Sequence, residues 1–330
     1  MDVACLGIVV ADIFVEPVDQ LPEPGELRTT ERLLFSPGGC AANVAIDLHR
    51  LNRTVSIIGR VGQDALGSFV VSSLQEKGVN TEHIQLGSRP TSATVIINVR
   101  GQDRRYLHCI GANGEFSAAD CNFETLKGVR ILYVGGYLAM PGFGPAELAE
   151  LFRYAQSQGL ITVLDVVIPF GMRDPSAAVI PVLPFTDYFL PNEDEARLLT
   201  GEQNVHEQVG ALARHNPRLT LVITRGAKGS IAMRDGETIE IPAYSMRSVD
   251  ESGAGDAFAA GIIAGILEEW PLDSILRFAS AVGGSCTREL GCAAGVFNFD
   301  QACEYLKAND PSFVFPTGSK SKSVEERICH

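Results

Sequence analysis

The 330-residue sequence contains no uninterrupted run of ~18 apolar residues, so no segment is expected to cross a bilayer as a helix. Cys-x-x-Cys pairs and His-Glu-x-x-His sets are also missing, despite eight cysteines and six histidines. Structural zinc sites use such close spacings, and disulfide frameworks belong to short secreted chains, so neither is expected. Most of Cys5, Cys40, Cys109, Cys121, Cys286, Cys292, Cys303 and Cys329 read instead as buried thiols acting as small apolar residues. Positive charge is scarce: 27 Lys+Arg stand against 40 Asp+Glu, a net charge of −13. A field of that sign repels nucleic-acid backbones and anionic membrane surfaces, which excludes both as expected partners. Any anionic ligand must then be held by a local device, such as a helix N-terminus, a metal ion or a few placed basic side chains. Two nucleotide signatures, Gly-x-x-x-x-Gly-Lys-Ser/Thr and Gly-x-Gly-x-x-Gly, are absent as well. The first ten residues carry no basic n-region, and their apolar run ends at Asp12. That pattern predicts a buried first strand rather than a secretory signal, with the cytoplasm as the expected location.

What is present is an ordinary globular balance, 45% hydrophobic and 20% charged. Strand patterns at 3–9, 54–59, 130–134, 161–165, 188–190 and 219–224 alternate with helical patterns at 42–51, 65–77, 146–158, 193–200, 205–215, 254–268 and 272–288. Such alternation predicts an α/β fold with a mainly parallel sheet covered by helices. Segments 13–35 and 91–110 break the alternation with short extended runs around Pro22-Glu23-Pro24-Gly25 and Gly101-Gln102-Asp103. They are expected to form hairpins of a small second sheet, a lid. Residues 1–310 are expected to form one unit, and residues 311–330, with their Ser, Lys and Gly, a mobile tail.

The strongest chemical signal is Val249-Asp250-Glu251-Ser252-Gly253-Ala254-Gly255-Asp256-Ala257-Phe258, followed by a small apolar run. Glycines let a ligand approach bare N–H groups, and a helix N-terminus favours an anion. Asp256 falls in the first helical turn, where a carboxylate can take a proton from a hydroxyl attacking a bound phosphoryl group. The competing reading is an ordinary helix start with a first-turn acid.

These residues resemble the C-terminal signature of the ribokinase (PfkB) family of carbohydrate and nucleoside kinases. Five further segments are similar to family motifs in the family's order: Gly38-Gly39-Cys40-Ala41-Ala42-Asn43, Gly59 to Gly67 around Asp64, Gly111-Ala112-Asn113, Asn192-Glu193-Asp194-Glu195, and Thr224-Arg225-Gly226. The resemblance implies a sandwich with a β-sheet lid and transfer of the ATP γ-phosphoryl group to a hydroxyl of a sugar or sugar derivative. It implies Asp256 as base and Gly253, Ala254 and Gly255 as anion hole. Asn192 and Glu195 would organise Mg²⁺ and its waters, with Thr224 and Gly226 along the nucleotide. Asp12, Gly38, Gly39 and Asn43 would meet the acceptor. Asp250 would serve a monovalent cation, K⁺, together with carbonyls of the loop 286–295.

The sequence departs from ribokinases at Val10 and Cys40, where they carry Asn and Lys, and at Glu251, where Thr is usual. Ribose itself is therefore not implied as the acceptor. A nucleoside kinase would need aromatic faces, for which Phe14, Tyr137 and Phe170 are the candidates, and a sugar phosphate would need cations, for which Arg28 and Arg105 are candidates. A non-catalytic sugar- or nucleotide-binding protein is the alternative outside the enzyme class. Lid edges would suit a homodimer.

Overall fold

The computed structural model describes residues 1–102 and 104–316. Alternating apolar segments build the body in chain order: β1 (Val3–Gly7), the lid strands β2 (Val10–Val18) and β3 (Leu33–Gly38), α1 (Cys40–Arg50), β4 (Val55–Gly62), α2 (Ala65–Glu76) and β5 (Asn80–Gly87). The lid resumes with β6 (Ala93–Val99) and β7 (Arg105–Cys109). The body then continues through β8 (Ile131–Gly135), α3 (Pro145–Ser157), β9 (Ile161–Leu164), α4 (Ser176–Val179), β10 (Tyr188–Phe189), α5 (Glu193–Thr200), α6 (Val205–Ala213) and β11 (Thr220–Thr224). Strands β12 (Ser230–Arg234) and β13 (Glu237–Ile241) precede α7 (Ala254–Leu267), α8 (Leu272–Cys286) and α9 (Phe299–Asn309).

The large sheet has nine strands in the order β13-β12-β11-β10-β9-β8-β1-β4-β5, parallel from β5 through β11 and closed by two antiparallel strands. Helices cover both faces, as a parallel sheet requires, with one apolar cluster around α1, α7 and α8 and another around α3, α5 and α6. Helix α7 is buried from Ala257 to Leu267. Its small residues admit α8 closely: a Cβ at Gly261 would lie 2.6 Å from Ala279 Cα.

Both expected hairpins form, and they join through parallel pairing of β2 with β6 into one four-stranded sheet, β3-β2-β6-β7. The first begins at Val10 rather than residue 13. Strand β1 stops at Gly7, and the Asn113 side chain then brackets Val9, accepting from its N–H and donating to its C=O, both at 3.1 Å. Asp64 caps α2 through Gly67 N (2.8 Å) and also takes Thr91 N (2.8 Å), which anchors the second hairpin to the body.

The edge strand β5, the β12–β13 hairpin and α9 were not expected from the sequence. That hairpin turns on Asp235 and Gly236, both with positive φ, the preferred Asp-Gly connection. Residues 311–316 do not detach as the expected tail would. Phe313 is buried, and Phe315 packs edge-on to Trp270 at 6.3 Å between ring centroids. The rest of that tail, including Lys320 and Lys322, lies outside the described residues, as does Asp103 of the expected lid turn. Among the described residues no helix is long and apolar enough to cross a membrane.

Candidate active site

In open parallel sheets, ligands sit beyond the carboxyl ends of the strands, and the residues singled out from the sequence gather there. Helix α7 starts from Gly253, whose φ of +79° is the left-handed conformation that favours glycine. A Cβ at Gly253 would also lie 2.2 Å from Cys292 O. Gly255 is open, with nothing within 4 Å of a Cβ position. Ala254 N turns back to Glu251 O at 3.2 Å, leaving the N–H groups of Gly253, Gly255 and Asp256 without a protein acceptor among the described residues. Three open donors at the start of a buried helix suit an anion. The bond of Ala254 removes it from the donors expected there.

Asp256 stands beside this turn. Its Oδ2 accepts a hydrogen bond from Asn43 Nδ2 at 2.8 Å. Burial pushes the carboxyl above its ordinary pKa, against the opposing effects of Asn43 and the Cys40 thiol. Asn43 is buried in the first turns of α1, and its Oδ1 has no partner. That helix begins at Gly39, whose φ is +86° and where a Cβ would lie 2.5 Å from Ile8 O. The backbone of Gly38 and Gly39 thus packs directly on the β1–β2 junction, and a Cβ at Gly38 would overlap the Asp12 carboxylate.

Asp165, at the end of β9, was not among the expected site residues. Its carboxylate, that of Asp256 and the Cys40 sulfur lie within 4.8 Å of one another. Tyr133 OH donates to Asp165 Oδ2 at 2.9 Å. Burial, then the charges of Glu195 and Asp256, raise Asp165 well above the carboxylate range. The position at the carboxyl end of a parallel strand was the signal that would have found it. Asp47, one turn beyond Asn43, was also missed; it is fully buried with neither oxygen partnered, and burial and the Asp256 charge raise its pKa strongly.

The lid sheet covers this cluster with two rows set by strand register. Ser36, Asp12, Thr94 and His108 lie side by side across the four strands, and Leu34, Phe14, Ile96 and Tyr106 form the next row on the same face. The apolar row packs on Leu290 and Cys292 of the loop after α8, so the lid is seated on the body. Asp12, 5% exposed, is raised to about 7 by burial despite hydrogen bonds from Thr94 and Cys292. Thr94 Oγ1 meets His108 Nδ1 at 3.0 Å.

On the opposite side, Asn192 and Glu195 form a reciprocal capping box at the start of α5, each side chain bonded to the other's backbone N–H at 2.9 Å. Burial raises Glu195 to about 7, with the Asp194 and Asp256 charges adding to the effect. Asn192 bridges to Thr224 at the end of β11, and Gly226 opens the following 3-10 turn with φ +55°. Asp250 lies apart from this cluster, bonded to Ser252 and to Gly291 N at 3.0 Å.

The pfkB family carbohydrate kinase model matches residues 1–297. Ribokinase from Haemophilus influenzae is 27% identical over 307 residues, 92% of this chain and 97% of that protein. Arabidopsis thaliana ribokinase complexed with ribose and ATP superimposes with a TM-score of 0.78 at 24% identity, covering 93% of this chain and 98% of that one. Adenosine kinase from Sinorhizobium meliloti gives 0.81 at 22% identity, covering 92% and 98%. The second and third show the shared fold, and the family match covers the site just described: this chain belongs to the pfkB family of carbohydrate kinases, phosphotransferases that act on an alcohol group.

Proposed function

We propose that the protein transfers the γ-phosphoryl group of ATP to a hydroxyl of an uncharged sugar or sugar derivative, with Asp256 as general base. The observation that carries this reading is the Asp256 carboxylate held by Asn43 directly beside the open N–H groups of Gly253, Gly255 and Asp256. A hydroxyl between Asp256 and the γ-phosphorus gives its proton to the carboxylate as its oxygen forms the new P–O bond. The bond from phosphorus to the ADP oxygen breaks, and the three N–H groups stabilise the charge on the transferring phosphoryl oxygens. A base pKa above the usual carboxylate value suits this work, because it increases the carboxylate's affinity for the acceptor proton.

The nucleotide would lie along Thr224 and Gly226. Mg²⁺ fits this site: Asp165 and Glu195 supply oxygen donors, and neither makes an ion pair with a Lys or Arg among the described residues. Glu195 would hold it through water, its Oε2 being spent on the α5 cap. When bound, the ion neutralises phosphate charge.

The acceptor side is built to receive hydrogen-bond donors. The buried Asn43 Oδ1 is an acceptor without a partner, and Asp12 keeps acceptor capacity whether or not it is ionised. That composition favours a neutral polyol over a sugar acid or sugar phosphate. Arg28 pairs with Glu26 at 2.9 Å, and Arg105 bonds Gln102 at 2.5 Å, so neither expected cation serves the cluster. Of the aromatic residues a nucleoside would need, Phe14 and Tyr137 are buried in packing and Phe170 is fully exposed. The sugar reading is therefore favoured over the nucleoside one. ADP release with Mg-ATP across neutral sugars, sugar acids, sugar phosphates and nucleosides tests it; preference for an anionic acceptor or a nucleoside would refute the assignment. A homodimer through the exposed edge strand β7 is part of the same proposal, and a monomeric mass by light scattering would refute that part.

A further inference from the structure

Asp250 presents a charge that must be balanced within the protein. It is 4% exposed, and its backbone N–H is tied to Thr287 O at 3.1 Å. Its Oδ1 accepts from Ser252 N (3.0 Å) and Ser252 Oγ (2.8 Å), and its Oδ2 from Gly291 N (3.0 Å). These bonds fix the residues leading directly into the Gly253 turn.

The family resemblance implies an alkali cation at this place, yet the donors present do not fit one. Such an ion needs several oxygen lone pairs turned toward it. Asp250 Oδ1 already accepts two donors and Oδ2 one, which leaves a single carboxylate lone pair for an ion. The carbonyls of Ser252 and Cys292 both converge on Cys286 Sγ, at 3.3 and 3.1 Å, rather than on an open space. A guanidinium also stands there: Arg104 Nη1 lies 3.8 Å from Asp250 Oδ1 and 4.0 Å from Glu251 Oε2. Arg104 comes from the β6–β7 hairpin, with its guanidinium 6.0 Å from the Tyr106 ring centroid.

We propose that Arg104 is the built-in counter-charge of Asp250, taking the place of a monovalent cation and positioning the phosphate-binding turn from the lid. Guanidinium is charged at every working pH, so the compensation is permanent once the lid is seated. The hairpin that carries Arg104 also carries Thr94 and His108 over the acceptor cluster. Closing the lid on an acceptor thus delivers the counter-charge to the phosphate side, and an open lid withholds it. This couples assembly of the turn to acceptor binding and disfavours transfer to water.

The proposal rests on reading Gly253, Gly255 and Asp256 as the phosphate cradle. Its test is turnover of the full chain with Mg-ATP and its preferred acceptor in potassium, sodium or tetramethylammonium chloride at equal ionic strength. Wild-type rates are expected to be the same in all three. Arg104→Ala is expected to lose about 10²-fold in kcat, the scale of a ~1 Å misplacement of reacting groups. Potassium should restore much of that loss where tetramethylammonium does not, and Arg104→Lys should retain most of the activity. A wild-type requirement for potassium overturns the proposal. So does full activity of Arg104→Ala, or a loss that neither potassium nor Lys repairs, which would mark a packing role alone. Nucleotide affinity and an Asp256→Asn control are measured alongside. Undiminished turnover by Asp256→Asn, or wild-type protein that does not bind ATP, refutes the cradle reading itself, whatever the ion profile.

Discussion

Replacing Asn43 with Ala removes the donor that holds Asp256 Oδ2 at 2.8 Å. A hydrogen bond to a charged group contributes about 1.5–3 kcal/mol. Its loss disfavours the ionised carboxylate by that free energy and so raises the Asp256 pKa further. The direction is fixed: Asn43 stabilises the ionised carboxylate, while burial already pushes its pKa upward. A base works only when ionised, so the acidic limb of the kcat–pH profile should move to higher pH, with the plateau at high pH less affected. The deletion also removes the unpartnered Asn43 Oδ1, which limits its cost to stability. The assay is kcat against pH at saturating acceptor and Mg-ATP, with circular dichroism to confirm folding. An acidic limb that stays in place, or moves down, would refute the coupling between these two side chains.

Gly253→Ala should destabilise the fold by about 2–5 kcal/mol, combining left-handed backbone strain with the clash against Cys292 O. Gly255→Ala, with open space around its Cβ position, should melt like wild type yet lose turnover because the methyl group intrudes where phosphate binds; equal melting of the two variants would contradict the turn geometry. Asp47, Asp12 and Glu195 all have raised pKa values, so the folded state keeps protons that the unfolded chain has released. Stability of the ligand-free protein should therefore fall as pH rises from about 4 through 7 and beyond. Asp47→Asn should raise Tm by ~2 °C or more at alkaline pH and flatten this dependence; thermal melts at pH values on both sides of neutrality check it.

The body was legible because its strands are short apolar runs flanked by helix-start signals, and the expected α5 segment matches Glu193–Thr200. Strand β5 was not, because an edge strand with one wet face, Asn80–Gly87, carries a mixed polar pattern. The two hairpins were visible as local β-branched runs, but their union through β2 and β6 is a long-range pairing that no local pattern encodes. Asp256, Asn43, Asp12 and the glycine turns stood out because their spacing is a motif. Asp165 and Tyr133 did not, because they join Cys40 and Asp256 only when the strand ends β8 and β9 are brought beside α1 and α7. The same applies to Arg104 and Asp250, separated in sequence and joined by the seated lid. The Asn192–Glu195 pair shows the reverse: a motif implied to organise a metal also has a complete local explanation as a helix cap.

The central claim is that Asp256 takes the acceptor proton beside the phosphate-binding turn. Its most direct test is single-turnover phosphoryl transfer from Mg-ATP to the preferred neutral sugar by wild type and Asp256→Asn, with nucleotide affinity measured on the same samples. The account predicts unchanged folding and ATP binding with a rate lower by about 10²–10⁴-fold in the variant. A variant that binds ATP and transfers phosphate at the wild-type rate would contradict it.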